Sequence, residues 1–407
     1  MFPEGLYSAA TNPYVLTALA AVLAYWVSVH LYPVIIYLSQ AKNLMEEPGE
    51  RSAHQYRVPT YGGAGIFIAF SVLAMSLSCL GNCPQEALAR ILSLMAGISI
   101  LFFLGIKDDM VGLDPAKKFA GQLVAAGLAI FVGGVRIESL DGIFGLGELP
   151  YLASVLFTTF VFLLVVNAYN LIDGIDGLAG SQALIATIVF GGFFLVAGDT
   201  PMAITSFVLV GALLGFLRFN LSYSKRLFMG DSGSLFVGFL LAFQAVVFLG
   251  ANQASAPGSI LSNAPVIVLA VLAFPLLDTL RVFIVRVRQG RSPFSADRNH
   301  LHHHLLARGL DHRQATGLIA LKTLLLVTVC WTLQDIEIHT HLGCTVVLGL
   351  ALFLGPLTIK PREVKTPDTA YGDAQRKTDA HEPPVVRAAH QAKKRGKSLR
   401  ETATTGD

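Results

Sequence analysis

Charge is what this chain has little of. Only 14% of its 407 residues are Asp, Glu, Lys or Arg, against roughly 25% in soluble domains. With a mean hydropathy of +0.59, a water-soluble enzyme of this length is excluded, because it would need far more polar surface. Cysteine is scarce as well. Cys79, Cys83, Cys330 and Cys344 lie in or beside apolar stretches, with neither paired CxxC motifs nor metal-ligand spacing, and they read as buried thiols. A cleavable leader is not expected, since the first apolar run lacks a basic n-region and outruns an h-region.

What the chain has in abundance is apolar runs of spanning length. They fall at roughly 14–38, 62–81, 89–106, 119–134, 151–168, 181–197, 201–219, 232–249, 264–284, 315–334 and 340–358. The expected fold is therefore an all-α transmembrane bundle of about eleven spans over residues 1–359. Residues 360–407 are polar and basic without apolar periodicity and read as a disordered cytoplasmic tail. Its Lys393–Lys397 run either touches anionic lipid or merely marks sidedness.

Basic residues set the orientation, because Lys and Arg near helix ends stay cytoplasmic. With eleven spans and a periplasmic N-terminus, all 30 Lys and Arg except Arg90, Arg136 and Lys322 fall on the cytoplasmic side or in the tail. The same parity brings every motif below to one face of the membrane.

Asp108 and Asp109 follow the third span, with Lys118 and Gln122 shortly after. Adjacent carboxylates at an interface lose hydration and repel, so a cation or a donor is expected beside them; an ordinary solvated loop is the alternative. Next, Asn167, Asn170, Asp173, Gly174, Asp176 and Gly177 run off the end of an apolar helix. Asn170, Asp173 and Asp176 recur at intervals of three and so share one side of a helical turn. The ligand spacing of a calcium-binding EF-hand is absent, and a plain turn does not account for two Asp-Gly steps beside lipid.

Asp231 sits within Gly230-Asp231-Ser232-Gly233 at the start of the eighth span, where helix N–H groups favour anions. It is either an N-cap or a ligand; the surround lacks the lysine of a Walker A loop. Finally, Asp297 and Arg298 precede His300, His302, His303 and His304 in a loop that also holds Arg281, Arg286, Arg288 and Arg291. These imidazoles do not match zinc spacing and suit anionic phosphates, an incidental His-rich loop being the alternative. Arg51 and His54, with Gly62 and Gly63, form a weaker element: the glycines read as packing positions and the two side chains as phosphate contacts.

The clustered Asp residues would repel a diphosphate unless a cation intervenes. Magnesium fits, since it takes one or two protein oxygens and completes its shell with water and phosphate; manganese is the substitute. No nucleic-acid partner is expected.

On these residues the chain resembles the polyprenyl-phosphate N-acetylhexosamine-1-phosphate transferases, from Arg51 to about His312. The resemblance implies an enzyme of the bacterial inner membrane, with about ten or eleven spans. It would move a sugar phosphate from a UDP-sugar to undecaprenyl phosphate and release UMP, and a homodimer is compatible with it. The resemblance makes Asn170 and Asp231 magnesium ligands and Asp176 a uridine-pocket residue. Asp108 becomes the base or nucleophile, with Asp109 beside it, and His300, His302 and His303 hold the diphosphate. Lys118 becomes a phosphate or structural partner of the acidic pair. Asp173 joins Asp108, Asp109 and Asp176 among the catalytic candidates, and Asn167 and Arg298 join the substrate-binding ones.

Two departures set the branch. Val111 and Gly112 stand where the muramoyl-pentapeptide branch carries a lysine, and the step from Asn220 to Asp231 is one residue longer than in many members. Both favour the branch that starts O-antigen, enterobacterial common antigen or teichoic-acid synthesis over peptidoglycan. A secondary transporter is the rival from another class. It predicts carboxylates near the middle of the bilayer and an inverted repeat, whereas these motifs lie at helix ends and no repeat is evident.

Overall fold

Inside hydrocarbon every backbone N–H and C=O must be paired within the protein, and apolar runs as long as these meet that demand as helices. The computed structural model describes residues 12–42, 45–46, 58–78, 84–254, 261–292 and 300–355. Helices α1 (Pro13–Ala41), α2 (Gly62–Ser78) and α3 (Gln85–Val111) come first. α4 (Pro115–Gly127) continues as a π turn, Leu128–Val132. Then follow α5 (Tyr151–Ile172), α6 (Leu178–Ala197), α7 (Thr200–Asn220) and α8 (Gly230–Ala254). α9 (Ala264–Val271) and α10 (Ala273–Arg288) precede a short α11 (Leu301–Leu306), then α12 (His312–Thr332) and α13 (Ile338–Leu354). The only paired strands among the described residues, Met45–Glu46 and Val58–Pro59, are antiparallel.

Seven of these helices, α1, α3, α5, α6, α7, α8 and α12, are long and apolar enough to cross a membrane. There are eight if α9 and α10, bent by 69° at Leu272, count as one. The chain is a helical, multi-pass membrane protein. The expected eleven is not reached on length and composition alone, since α2 and α13 have 17 residues each and α4 has 13 before its π turn.

α8 is the hub. Of its apolar window 89% is buried, against 28% for α1, and α2, α3, α5 and α6 pack around it. Side chains such as Trp26, Phe103, Val196 and Leu321 are exposed, as suits helix faces that meet lipid. The same logic corrects the reading of the cysteines. Cys330 is buried but Cys344 is exposed on α13, because an apolar residue gains nothing by facing inward when its surroundings are lipid. Cys79 and Cys83 lie outside the described residues.

One unit comprises the described residues up to Leu221 and from Lys225 to Gly355. The described part of the second is Ser222–Ser224, where the Ser224 N–H donates to the Ser222 hydroxyl at 3.3 Å. The expected tail, 360–407, lies outside the described residues.

Candidate active site

Four helix ends meet at the first cluster. α3 stops at Gly112, whose φ of +69° takes the chain out of the helix. Asp114 then caps α4 by accepting the Ala116 N–H at 2.8 Å, with Pro115 at the first helical position. This tight turn folds Lys118, in the first turn of α4, back onto Asp108, in the last turn of α3, as an ion pair. The Lys118 Nζ also reaches Asp231 Oδ2 of α8 at 2.9 Å. The other oxygen of Asp231 accepts from Asn170 Nδ2 of α5 at 2.6 Å, and Asn170 donates in addition to Ser234 Oγ at 2.8 Å. Asp108 Oδ1 accepts the Leu113 N–H at 2.6 Å. Residues spread from 108 to 234 thus form one hydrogen-bonded cluster in which a single ammonium bridges two carboxylates.

Asp109 stands next to Asp108 but does other work. Its Oδ1 accepts the Asp231 N–H at 2.8 Å and its Oδ2 the Ser232 N–H at 3.0 Å. Both oxygens are spent on the first turn of α8, where unpaired N–H groups attract an anion. A carboxylate used in this way positions Asp231. Gly105 makes that approach feasible, because a Cβ there would lie 2.3 Å from Ser232 Cα.

The Asp-Gly motif after α5 divides likewise. Asp173 terminates α5, half-buried. Asp176 is 3% exposed. Its Oδ2 pairs with Arg226 Nη1 at 3.1 Å and His312 Nδ1 at 2.9 Å, while its Oδ1 is buried without a partner among the described residues. Thr316 Oγ1 donates to the Asp176 carbonyl at 2.7 Å. A carboxylate enclosed by Arg226 and His312 anchors the turn to α12. Asn167 is engaged too, in reciprocal amide bonds with Gln122 at 2.7 and 3.3 Å.

The histidines are brought to this motif by α11. His302 is 1% exposed, and neither ring nitrogen has a partner among the described residues. Its ring lies so near Gly174 that a Cβ on the glycine would be 2.4 Å from His302 Nε2. Burial, together with His303 and His300 close by, holds the His302 imidazole well below its ordinary pKa and therefore neutral. The His303 ring centroid is 4.3 Å from that of His302. His300 Nδ1 is bound to Asp278 Oδ2 at 2.9 Å, and the Leu301 N–H donates to Asp278 Oδ1 at 2.8 Å.

Asp278 was missed by sequence reasoning. It is fully buried in α10, and the signal was a lone carboxylate inside an apolar run, which in a membrane segment marks a functional or paired group. Arg226 went unsingled as well, since a basic loop residue announces no partner. Arg298, Arg51 and His54 lie outside the described residues.

Among the described residues, no three His, Cys, Asp or Glu side chains form a group fit to hold an ion. The donor chemistry nevertheless suits magnesium. Asp108 and Asp231 offer hard oxygens, Asn170 would add an amide oxygen after a flip of its carboxamide, and this ion needs few protein ligands. A wide cavity of about 1750 Å³ lies elsewhere: Arg90, Arg136, Glu138 and Asp199 line it, and none of the motif residues does.

Fold and site together define an integral-membrane protein whose polar chemistry is gathered at converging helix ends. The profile of Glycosyl transferase family 4 matches residues 91–249. A decaprenyl-phosphate N-acetylglucosaminephosphotransferase of Mycolicibacterium smegmatis is 36% identical over 291 residues, covering 67% of this chain and 71% of the relative. The protein of that name from Mycobacterium leprae is 36% identical over 297 residues, 67% and 73% of the two chains. The undecaprenyl-phosphate alpha-N-acetylglucosaminyl 1-phosphate transferase of Escherichia coli K12 is 31% identical over 329 residues, 78% and 84%. The chain belongs to the polyprenyl-phosphate N-acetylglucosamine phosphotransferases of glycosyl transferase family 4. It is a transferase of sugar 1-phosphates.

Proposed function

We propose that this protein transfers N-acetylglucosamine 1-phosphate from UDP-N-acetylglucosamine to undecaprenyl phosphate, releases UMP, and so starts a lipid-linked surface polysaccharide. The observation that carries this reading is the Asp108, Lys118, Asp231 and Asn170 cluster, where acids and an ammonium from four helices meet at one end of the bundle. Asp231 and Asn170 would hold Mg²⁺, and the ion would supply charge neutralisation to the diphosphate. Lys118 offers a cation beside the same oxygens. Asp108 deprotonates the lipid phosphate for direct attack on the β-phosphate, in preference to a covalent aspartyl route. His302 and His303, with His300 set by Asp278, face the donor phosphates.

The membrane reading is the bacterial inner membrane with the N-terminus periplasmic and the C-terminus cytoplasmic, supported by the distribution of Lys and Arg. A crossing by α4, which a total of eleven requires, is supported by the cluster itself. Asp108 and Asn170 both end helices, α3 and α5, and both contact Asp231 directly or through Lys118. The chain must return between them, and α4 with its π turn is the segment available.

The test incubates purified protein with undecaprenyl phosphate, Mg²⁺ and a panel of UDP-sugars, scoring UMP release. Release with UDP-N-acetylglucosamine that stops on chelation is expected, as is its abolition in a folded Asp231→Asn variant. Turnover undiminished by chelation or by that variant sinks the metal assignment. UMP/UDP-sugar exchange without lipid would replace direct attack with the covalent route.

A further inference from the structure

α12 carries a lysine well inside a membrane-crossing segment. Lys322 lies ten residues beyond His312, the first residue of the helix, and so about 15 Å along its axis. A lysine in the middle of a span costs about 2.5–3.5 kcal/mol on insertion scales and persists where it reaches an anion, a polar cavity or the head-group layer. Among the described residues Lys322 has no hydrogen bond or ion pair. None of the chemistry proposed above uses it.

The surroundings of Lys322 say what it could hold. It lines a narrow crevice with Arg308, Phe274, Leu301, Leu305 and Phe353. Two of the lining side chains are cationic, the others are apolar, and no acid is among them. On the adjoining face of α12, Leu321, Leu324 and Leu325 are exposed. An anion carried on hydrocarbon chains matches both halves of this surface. The crevice is too small to enclose a head group, so the anion would sit at its mouth, where a lysine stem can extend along apolar surface to meet it.

We propose that Lys322 and Arg308 form a binding site for the phosphate of an acidic glycerophospholipid, whose acyl chains lie along the exposed leucines of α12. Charge complementarity selects an acidic lipid over a zwitterionic one. Position selects a phospholipid over the polyprenyl phosphate acceptor, because the site lies on α10, α11, α12 and α13, whereas the carboxylate cluster lies on α3, α4, α5 and α8. The site also backs onto the histidines. Leu301 and Leu305 share one side of α11 and line the crevice, while His302 packs against Gly174. A lipid seated there braces α11, so acidic lipid raises turnover as well as stability.

The test has one arm free of catalysis and one that rests on the proposed reaction. In native mass spectrometry of the full chain, phosphatidylglycerol should bind more tightly than phosphatidylcholine. Lys322→Gln and Arg308→Gln should each weaken that preference about fivefold, the equivalent of about 1 kcal/mol per cation, while Lys322→Arg keeps it. In nanodiscs, phosphatidylglycerol should stimulate UMP release by the wild type but not by Lys322→Gln, whose activity in phosphatidylcholine alone stays at the wild-type basal level. Equal phosphatidylglycerol binding by wild type and Lys322→Gln overturns the proposal. So does displacement of the bound phospholipid by an equal concentration of undecaprenyl phosphate, which would make this the acceptor's site. A protein that shows the binding preference yet releases no UMP would sink the proposed reaction and leave the lipid site standing.

Discussion

Asp109 caps the helix that presents Asp231, accepting its N–H at 2.8 Å and that of Ser232 at 3.0 Å. Asp108, one residue earlier, is held instead by Lys118 and the Leu113 N–H. Substitutions at the two positions should therefore differ in kind. Asp109→Ala should cost about 1–2 kcal/mol of stability as a lost cap, with turnover falling as Asp231 shifts. Asp108→Asn should abolish turnover at an unchanged melting temperature in detergent. Equal thermal losses at both positions would contradict this division.

Gly105→Ala should be destabilising by about 1–3 kcal/mol. Its Cβ would meet Ser232 Cα at 2.3 Å and the Asp231 carbonyl oxygen at 2.5 Å, and backbone on both sides leaves nothing to rotate away. Gly192 is the control: a Cβ there meets nothing within 4 Å, so Gly192→Ala should be neutral or slightly stabilising. Thermal unfolding of the pair in one detergent decides.

The buried His302 makes stability depend on pH. Its folded pKa lies well below the ordinary imidazole value, so the unfolded chain takes up a proton first as pH falls. Stability should therefore decline as pH drops through about 6.5 and below, with no such contribution at higher pH where both states are neutral. His302→Gln should flatten that slope in melting temperatures recorded from pH 7.5 to 5.5. An unchanged slope would mean that the imidazole is not held neutral.

Asp278→Asn should lower kcat/KM about 10- to 100-fold, the loss typical when a group that orients a functional histidine is changed. The melting temperature should barely move, since the remaining oxygen still accepts the Leu301 N–H. If His300 acts on the donor phosphates, the loss should appear with UDP-sugar, and binding of free uridine should be unaffected. A variant that weakens both equally would make Asp278 purely structural.

Much of this was legible in the chain itself. Scarce charge and long apolar runs dictated a helical membrane bundle, because hydrocarbon leaves the backbone no other way to pair. The acidic and histidine motifs could be found because carboxylates, amides and imidazoles are costly beside lipid and therefore conspicuous. The helix breaks were less visible. A window of hydropathy averages over the 69° bend between α9 and α10 and over the π turn after α4.

The sequence by itself determined which residues carry polar chemistry and at which helix ends they stand. Tertiary structure alone decided how the work is shared. Asp108 faces an ammonium while Asp109 faces two N–H groups; Asp176 is enclosed by Arg226 and His312 while Asp231 keeps a partly exposed carboxylate. Asp278, unremarked in its apolar run, turns out to hold His300. The reason is geometric: a carboxylate's role is set by which donors come within about 3 Å of its oxygens, and for Asp109, Asp176 and Asp278 those donors lie many residues away along the chain.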